Sequence, residues 1–282
     1  MTENQTIEPI RADVLNADDL MEMVPQLRNH PKLARRLIHW VRMDAVNNFH
    51  AQVCDTPGPR AATRLITEAF GSTLKVDNAQ VLDNLPQGAF ITVSNHPFGA
   101  VDGIALISLI GEKRPDFKVM VNMILNRIGA MRPNFIAVDP MAHTDPAKRA
   151  VSVNGIRACL RQLKEGKPLG FFPAGAMSKI DWRGRLEDRP WQDSVLQLIY
   201  RAKVPVIPIF FQGSNSLSFN IAGKLCWPLR TLLLPREVVK KCGEEIHVTI
   251  GDPITLEQQM PYRESAETLG AYLRQQTYAL RR

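Results

Sequence analysis

Between residues 88 and 254 the chain alternates short apolar runs with helical stretches, and this alternation limits the fold more than any other feature. The runs are GAFITVS at 88–94, DFKVMVN at 116–122, NFIAVD at 134–139, PLGFFPA at 168–174, VPVIPIFF at 204–211 and EIHVTIGDPI at 245–254. Between them lie helix-like segments such as 146–165 and 192–202. Strands separated by helices build βαβ units, so the expected fold class is α/β, with a mixed, largely parallel sheet covered by helices. Residues 12–55 read as helical, with Leu33, Leu37, Trp40, Val41 and Ala45 forming an apolar stripe at three- and four-residue intervals. CDTPGPR at 54–60 breaks that segment, and AATRLITEAFGSTL at 61–74 reads as one more helical run. The expected organisation is an N-terminal helical extension over 1–60 and a single main domain over 61–282.

Composition serves mainly to exclude. At 45% hydrophobic residues the chain builds a real core, which removes general disorder. A net charge of +7 suits an anionic partner such as a phosphorylated substrate or an anionic membrane surface, or simply marks a basic soluble protein. Nucleic acid is not expected, because basic and aromatic residues are not interleaved as on an RNA-binding sheet. No P-loop or GxGxxG occurs. Cys54, Cys159, Cys226 and Cys242 form no CxxC pair and have no histidine at metal spacing, so reduced thiols of a cytosolic protein and no metal site are expected. The polar, acidic start is not expected to act as a secretory signal. No window approaches the roughly 20 apolar residues that span a bilayer, so any membrane contact is expected from one side.

The chemistry concentrates in SNHPFGAVDG at 94–103. His96 and Asp102 stand at the end of a buried strand, in a glycine-containing turn, where α/β sheets place functional groups. A carboxylate that fixes one imidazole nitrogen as N–H leaves the other as a base, and it stabilises the imidazolium once a proton is taken. Gly99 permits a tight turn or a close approach to a ligand. No GxSxG elbow and no neighbouring cysteine supplies a nucleophile, so the imidazole is expected to act directly on an acceptor hydroxyl or amine. The plain alternative is a histidine capping the next helix beside an ordinary turn aspartate. Context favours the chemical reading. FFPAGAMS at 171–178 ends another strand in a Pro-Ala-Gly turn, whose amides suit a phosphate or an oxyanion. A third strand ends in the polar cluster Gly213, Ser214, Asn215 and Ser216.

Taken together, these segments resemble the glycerolipid acyltransferase superfamily, typified by lysophosphatidic acid acyltransferases. Its motifs appear in order as Asn95-His96…Asp102, Phe172-Pro173-Ala174-Gly175 and Val204-Pro205-Val206-Ile207-Pro208, with NFIAVDP at 134–140 where the second motif falls. NHPFGAVDG, FPAGAMS, LLLPREVV at 232–239 and GDPI at 251–254 are most similar to a bacterial subgroup, labelled hemolysin-like or lysophospholipid acyltransferases, linked to O-acylation of ornithine and glycine lipids. Two departures stand out. Five residues separate the histidine and aspartate instead of four. Ala174 and Met177 replace the glutamate and arginine that help the parent family hold glycerol phosphate. The resemblance implies an acyltransferase domain over 61–282 that moves a fatty acyl group from an acyl-carrier-protein or coenzyme A thioester to a lysolipid hydroxyl. It implies no other cofactor. His96 would be the base and Asp102 its orienter. Asn95, Gly99, Pro173, Ala174, Gly175, Ser178, Lys179, Arg183, Gly213 and Asn215 would contact substrate. A cytoplasmic protein held at the surface of the inner membrane follows from the substrate class. A silent lipid- or carrier-binding protein on the same scaffold, or acylation of an amine or a non-glycerol alcohol, stays open as an alternative.

Three further features carry weaker signals. Lys179, Arg183, Arg185 and Arg189 either bind an anionic headgroup or donor phosphates, or form a solvated loop with Asp181, Glu187 and Asp188. Segment 221–241 mixes Leu225, Trp227, Leu229 and Leu232–Leu234 with Lys224, Arg230, Arg236, Lys240 and Lys241, which suits either a bilayer interface or a core helix. Trp40 with Arg35, Arg36 and Arg42 is a second interfacial candidate. His30, His39, His50, His143 and His247 share no spacing and are expected to be structural or on the surface.

Overall fold

A computed structural model describes residues 10–139, 146–181, 184–225 and 227–282, without the side chains of 146–149 and 224–229. The N-terminal segment folds into α1 (Ala17–Met23), α2 (Pro31–Trp40) and α3 (Met43–Ala51). α4 (Pro59–Arg64) follows and widens into a π turn over Leu65–Ala69. Then come β1 (Thr73–Asp77), β2 (Ile91–Ser94), α5 (Ala100–Gly111), β3 (Lys118–Asn122) and β4 (Phe135–Val138). The chain continues through α6 (Pro146–Lys164), β5 (Leu169–Phe171), the hairpin β6 (Lys179–Ile180) and β7 (Leu186–Glu187), and α7 (Asp193–Ala202). It ends with β8 (Val206–Phe211), α8 (Leu217–Leu225), α9 (Trp227–Lys240), β9 (Glu245–Ile250), α10 (Leu256–Gln259) and α11 (Ala266–Ala279).

Seven strands make one sheet in the order β1-β9-β8-β2-β5-β3-β4, and only the β8–β9 pair is antiparallel. The expected mixed, largely parallel α/β sheet is therefore what the residues form. β2 is central, pairing Ile91 with Leu169 of β5 and with Val206 of β8. Its side chains alternate between two cores. Ile91 and Val93 face the α6, α7 and α11 side, with Leu169, Phe171, Val195 and Leu273. The opposite layer joins Ala61, Leu65, Val101, Leu106 and Ile110 of α4 and α5 to Ile207, Ile209 and Phe211 of β8. Every residue of β2 and β8 is buried, as expected of strands covered on both faces. Because β3, β5, β2 and β8 run parallel, their C-terminal ends share one edge, so Asn122, Phe172, Asn95 and Gln212 follow one another along it.

Two expectations change. The run 61–74 is not helical to its end: Gly71 turns at φ +61°, and Thr73 onward pairs with Glu245–Thr249 as the edge strand β1. That strand buries neither face completely, so it carries no strong apolar signal. The helical stretch 12–55 is three helices rather than one: a tight 3-10 turn at Pro25–Leu27 separates α1 from α2, and Arg42 adopts φ +63° between α2 and α3. The stripe therefore does not face a single core: Val41 is buried, but Leu33 and Trp40 remain nearly half exposed, with Arg236 of α9 lying 4.8 Å from the Trp40 ring centre. His50 ties this region to the rest, its Nδ1 meeting Ala12 O at 2.7 Å while its Nε2 accepts the Ala130 N–H at 3.1 Å.

Candidate active site

β2 delivers the chain to the sheet edge, and Phe98–Gly99 turns it into α5. Gly99 adopts φ +82°, and a Cβ there would lie 2.8 Å from Met177 Sδ and 3.0 Å from Leu234 Cδ1. Both the backbone angle and the close approach call for glycine. Asp102 sits in the first turn of α5 and is fully buried. Its Oδ2 accepts the N–H groups of Phe98 at 2.9 Å and Gly99 at 3.0 Å, capping the helix. The same oxygen lies 2.9 Å from His96 Nδ1, a close but oblique contact in which the ring N–H does not aim at it squarely. The fifth intervening residue is thus absorbed in the turn, and the pair meets. The His96 ring stacks on Phe172 with centroids 4.2 Å apart, and its side chain is 19% exposed. With Nδ1 turned to Asp102, Nε2 is the nitrogen left for chemistry. Burial pushes the Asp102 carboxyl above its usual range, opposed by His96 and the two amides.

His96, Gly99 and Gly175 are among the residues lining a cavity of about 600 Å³, its open entrance included. Its walls are Ile104 of α5, Met120 and Val121 of β3, Leu125, Ile128 and Phe135, with Phe172 beside the imidazole. The sequence reading missed these wall residues. Only for Ile104 was there a signal, in the apolar run IALISLI of α5, buried almost throughout.

The remaining sequence-predicted residues fall in different places. Asn95 faces neither solvent nor cavity: its Oδ1 accepts the Phe211 N–H at 2.7 Å and its Nδ2 donates to Phe211 O at 2.9 Å, clamping β2 to β8. Gly213 and Asn215 underlie the same turn, Asn215 Nδ2 donating to Phe98 O at 3.3 Å and Gly213 leaving room for the Phe98 ring. Pro173, Ala174 and Gly175 close the end of β5. The Gly175 amide is taken by Phe172 O at 2.9 Å, so it is not free for an oxyanion. Gly175 turns at φ +63°, and the Gln192 side chain fills the space a Cβ would need. Lys179 is exposed on β6, away from the cavity lining. Arg183 lies outside the described residues, as do His143 and the side chains of Lys224, Leu225, Trp227 and Leu229.

Ser178 links the two halves of the site. Its N–H donates to His96 O at 2.8 Å, and its hydroxyl donates to Asp188 Oδ1 at 2.5 Å. Asp188 is buried and also accepts the His96 N–H at 3.3 Å. Burial pushes its carboxyl upward, against Ser178 and His96. In sequence it read only as a loop ion partner. Of the two readings of its segment, Arg230 fits the core helix. It is 4% exposed rather than part of a basic rim, and its guanidinium donates to the Met177 and Ser178 carbonyls. Among the described residues, no cluster of three or more His, Cys, Asp or Glu is placed to hold a metal ion.

The sequence profile of a family described as Acyltransferase matches residues 19–282. A lyso-glycine lipid O-acyltransferase from Bacteroides thetaiotaomicron is 28% identical over 182 residues, 61% of this chain and 64% of that protein. A second protein of that name, from Phocaeicola vulgatus, is 26% identical over 181 residues, 61% and 62% of the two. The chain thus matches somewhat under two thirds of the length of these relatives. The crystal structure of a 1-acyl-sn-glycerophosphate (LPA) acyltransferase, PlsC, from Thermotoga maritima superposes with a TM-score of 0.48 at 15% identity, covering 93% of this chain and 86% of that one.

Proposed function

The chain belongs to the acyltransferase family, and on that premise we propose that it moves a fatty acyl group from an acyl-carrier-protein or coenzyme A thioester to the hydroxyl of a lysolipid. The observation that carries this reading is a histidine with a buried carboxylate behind it, 2.9 Å away, set in the lining of an apolar cavity. His96 Nε2 takes the acceptor hydroxyl proton as the oxygen attacks the thioester carbonyl. The C–S bond breaks, and the imidazolium returns the proton to the leaving thiolate. The products are an ester and a free thiol, with no covalent enzyme intermediate. Asp102 holds the ring and stabilises its cationic form. Base catalysis of this kind is worth roughly 10²–10⁴-fold. The alkyl chain of one substrate lies along Ile104, Met120, Leu125, Ile128 and Phe135.

For the acceptor, the names of the two relatives support a lyso-aminolipid of the glycine type. Ala174 and Met177, where the parent family carries glutamate and arginine, weigh against glycerol phosphate. The protein works at a membrane surface, on our reading the cytoplasmic face of the inner membrane. Support comes from the exposed Leu33 and Trp40 on α2, Leu217 and Ile221 on α8, and Leu232 on α9, in a chain of net charge +7. Among the described residues, no helix is long and apolar enough to cross a membrane. Incubating the purified protein with acyl-carrier-protein or coenzyme A thioesters and a panel of hydroxylated lysolipids tests this. An O-acylated product with an equal amount of free thiol is expected for the lyso-glycine lipid. Thioester binding without turnover on any acceptor would favour a silent carrier-binding protein instead.

A further inference from the structure

One residue contact away from the His96 backbone, through Ser178, the fold buries the guanidinium of Arg230, and Arg189 is near enough for its charge to act on it. Arg230, on α9, is 4% exposed; it reaches the Met177 and Ser178 carbonyls and lies 5.1 Å from the Phe219 ring centre. Its Nε is buried without a hydrogen-bond partner, and so is Nε of Arg189. Among the described residues, neither arginine is in an ion pair with a carboxylate. Asp188, adjacent in the chain to Arg189, turns Oδ1 to Ser178 and the His96 amide, and its Oδ2, buried without a hydrogen-bond partner, pairs with neither arginine. Burial lowers the pKa of Arg230, and the charge of Arg189 lowers it further. The stem of Arg230 is closely fitted: a Cβ at Gly223 would come within 2.5 Å of Arg230 Cδ. A buried cation without a partner is costly, and a second cation beside it adds to the cost. An anion between them removes both penalties, and guanidinium forks match planar oxyanions.

We propose that Arg230 and Arg189 form an anion site that takes the carboxylate or phosphate of a substrate bound for acylation at His96. The proposal rests on the acyl-transfer reading for its place in the reaction. Met177 leaves the Pro-Ala-Gly turn without an arginine of its own, and α9 supplies the missing charge from the other side of Ser178. Two sources offer the anion. A glycine headgroup joined through its nitrogen ends in a carboxylate, and a pantetheine-bearing donor carries phosphate.

Initial rates distinguish them. N-(β-hydroxypalmitoyl)glycine is compared with its methyl ester, using palmitoyl-coenzyme A or the phosphate-free S-palmitoyl-N-acetylcysteamine, in wild type, Arg230→Met and Arg189→Met. Charge-assisted pairing predicts that wild type favours the charged substrate by about 10–100-fold in kcat/KM, and that each variant largely erases the preference. Erasure on the acceptor pair assigns the carboxylate to the site, and erasure on the donor pair assigns the phosphate. An equal fall in all four substrate combinations, or an undiminished preference in Arg189→Met, which gives up no hydrogen bond to the turn, overturns the site. Thermal protection gives a readout free of turnover, with N-palmitoylglycine against its methyl ester. Protection by the acid in wild type but not in Arg189→Met keeps the site even if no acyl transfer occurs. Equal protection by acid and ester in wild type, in the absence of turnover, refutes it.

Discussion

The two halves of the site are built in opposite ways. The half proposed to react, residues 94–103, comes from one stretch of chain: strand end, histidine, glycine turn and aspartate on the first helical turn, closed by contacts at 2.9 and 3.0 Å. The half proposed to recognise substrate is assembled from distant places: Ser178 after β5, Asp188 and Arg189 after the hairpin, and Arg230 from α9. A local half keeps its geometry through backbone hydrogen bonds that helix formation supplies in any case. An assembled half depends on packing between elements, so it is free to change its charges while the chemistry stays fixed. Ala174 and Met177 are such changes.

Substitutions at Asp102 break this comparison most strongly, because the carboxylate that caps α5 also orients the base in the proposed mechanism. Asp102→Ala leaves the buried Phe98 and Gly99 amides without an acceptor, each worth about 1–3 kcal/mol. It therefore lowers the melting temperature as well as abolishing transfer. Asp102→Asn keeps an acceptor oxygen and loses only the charge, so its denaturant midpoint stays close to wild type while turnover drops about 10²-fold or more. A rate loss in Asp102→Asn that merely tracks its stability loss would make the residue a cap and nothing else. In the recognising half, Arg230→Met and Arg189→Met act on discrimination by about 10–100-fold rather than on the chemical step. Gly99→Ala perturbs the junction of the halves, forcing an L side chain to φ +82° against Met177 and Leu234. It costs about 1–2 kcal/mol or more, read from the urea midpoint.

The smallest effect lies outside both halves. His50 is buried and neutral in the fold, and burial holds its pKa below the ordinary value of 6.5. The unfolded chain then binds the extra proton first, so stability holds above about pH 6.5 and declines as the pH falls toward the folded value. In His50→Gln this component of the acid-side decline disappears. If the two proteins lose stability in parallel between pH 7 and pH 5, His50 is not its source.

This contrast also decides what was legible in the sequence. Six of the seven sheet strands announce themselves as mainly apolar runs, most plainly β8, where every residue is buried. β1 does not, since TLKVD puts only Leu74 and Val76 on its core face, both only partly buried, and polar side chains on the other. His96, Gly99 and Asp102 were readable because their contacts span six residues or fewer. For Arg230 the sequence left an interfacial and a core helix both open, since a pattern of leucines and arginines on one helix cannot say which arginine turns inward. Asn95 drew attention as part of a motif, yet both of its polar groups engage the backbone of a strand 116 positions away. Asp188 gave no sign of burial in a loop of alternating charges. Cavity walls likewise follow from how α5 lies on β3, which periodicity does not encode.

The central claim is that His96 removes the acceptor proton. Its most direct test is the initial rate of thiol release from an acyl thioester in the presence of acceptor lysolipid, for wild type and His96→Ala at matched, verified folding. The account predicts a fall of about 10²–10⁴-fold with a melting temperature near that of wild type. Thiol release by His96→Ala within about threefold of wild type, coupled to the same ester product, would contradict it.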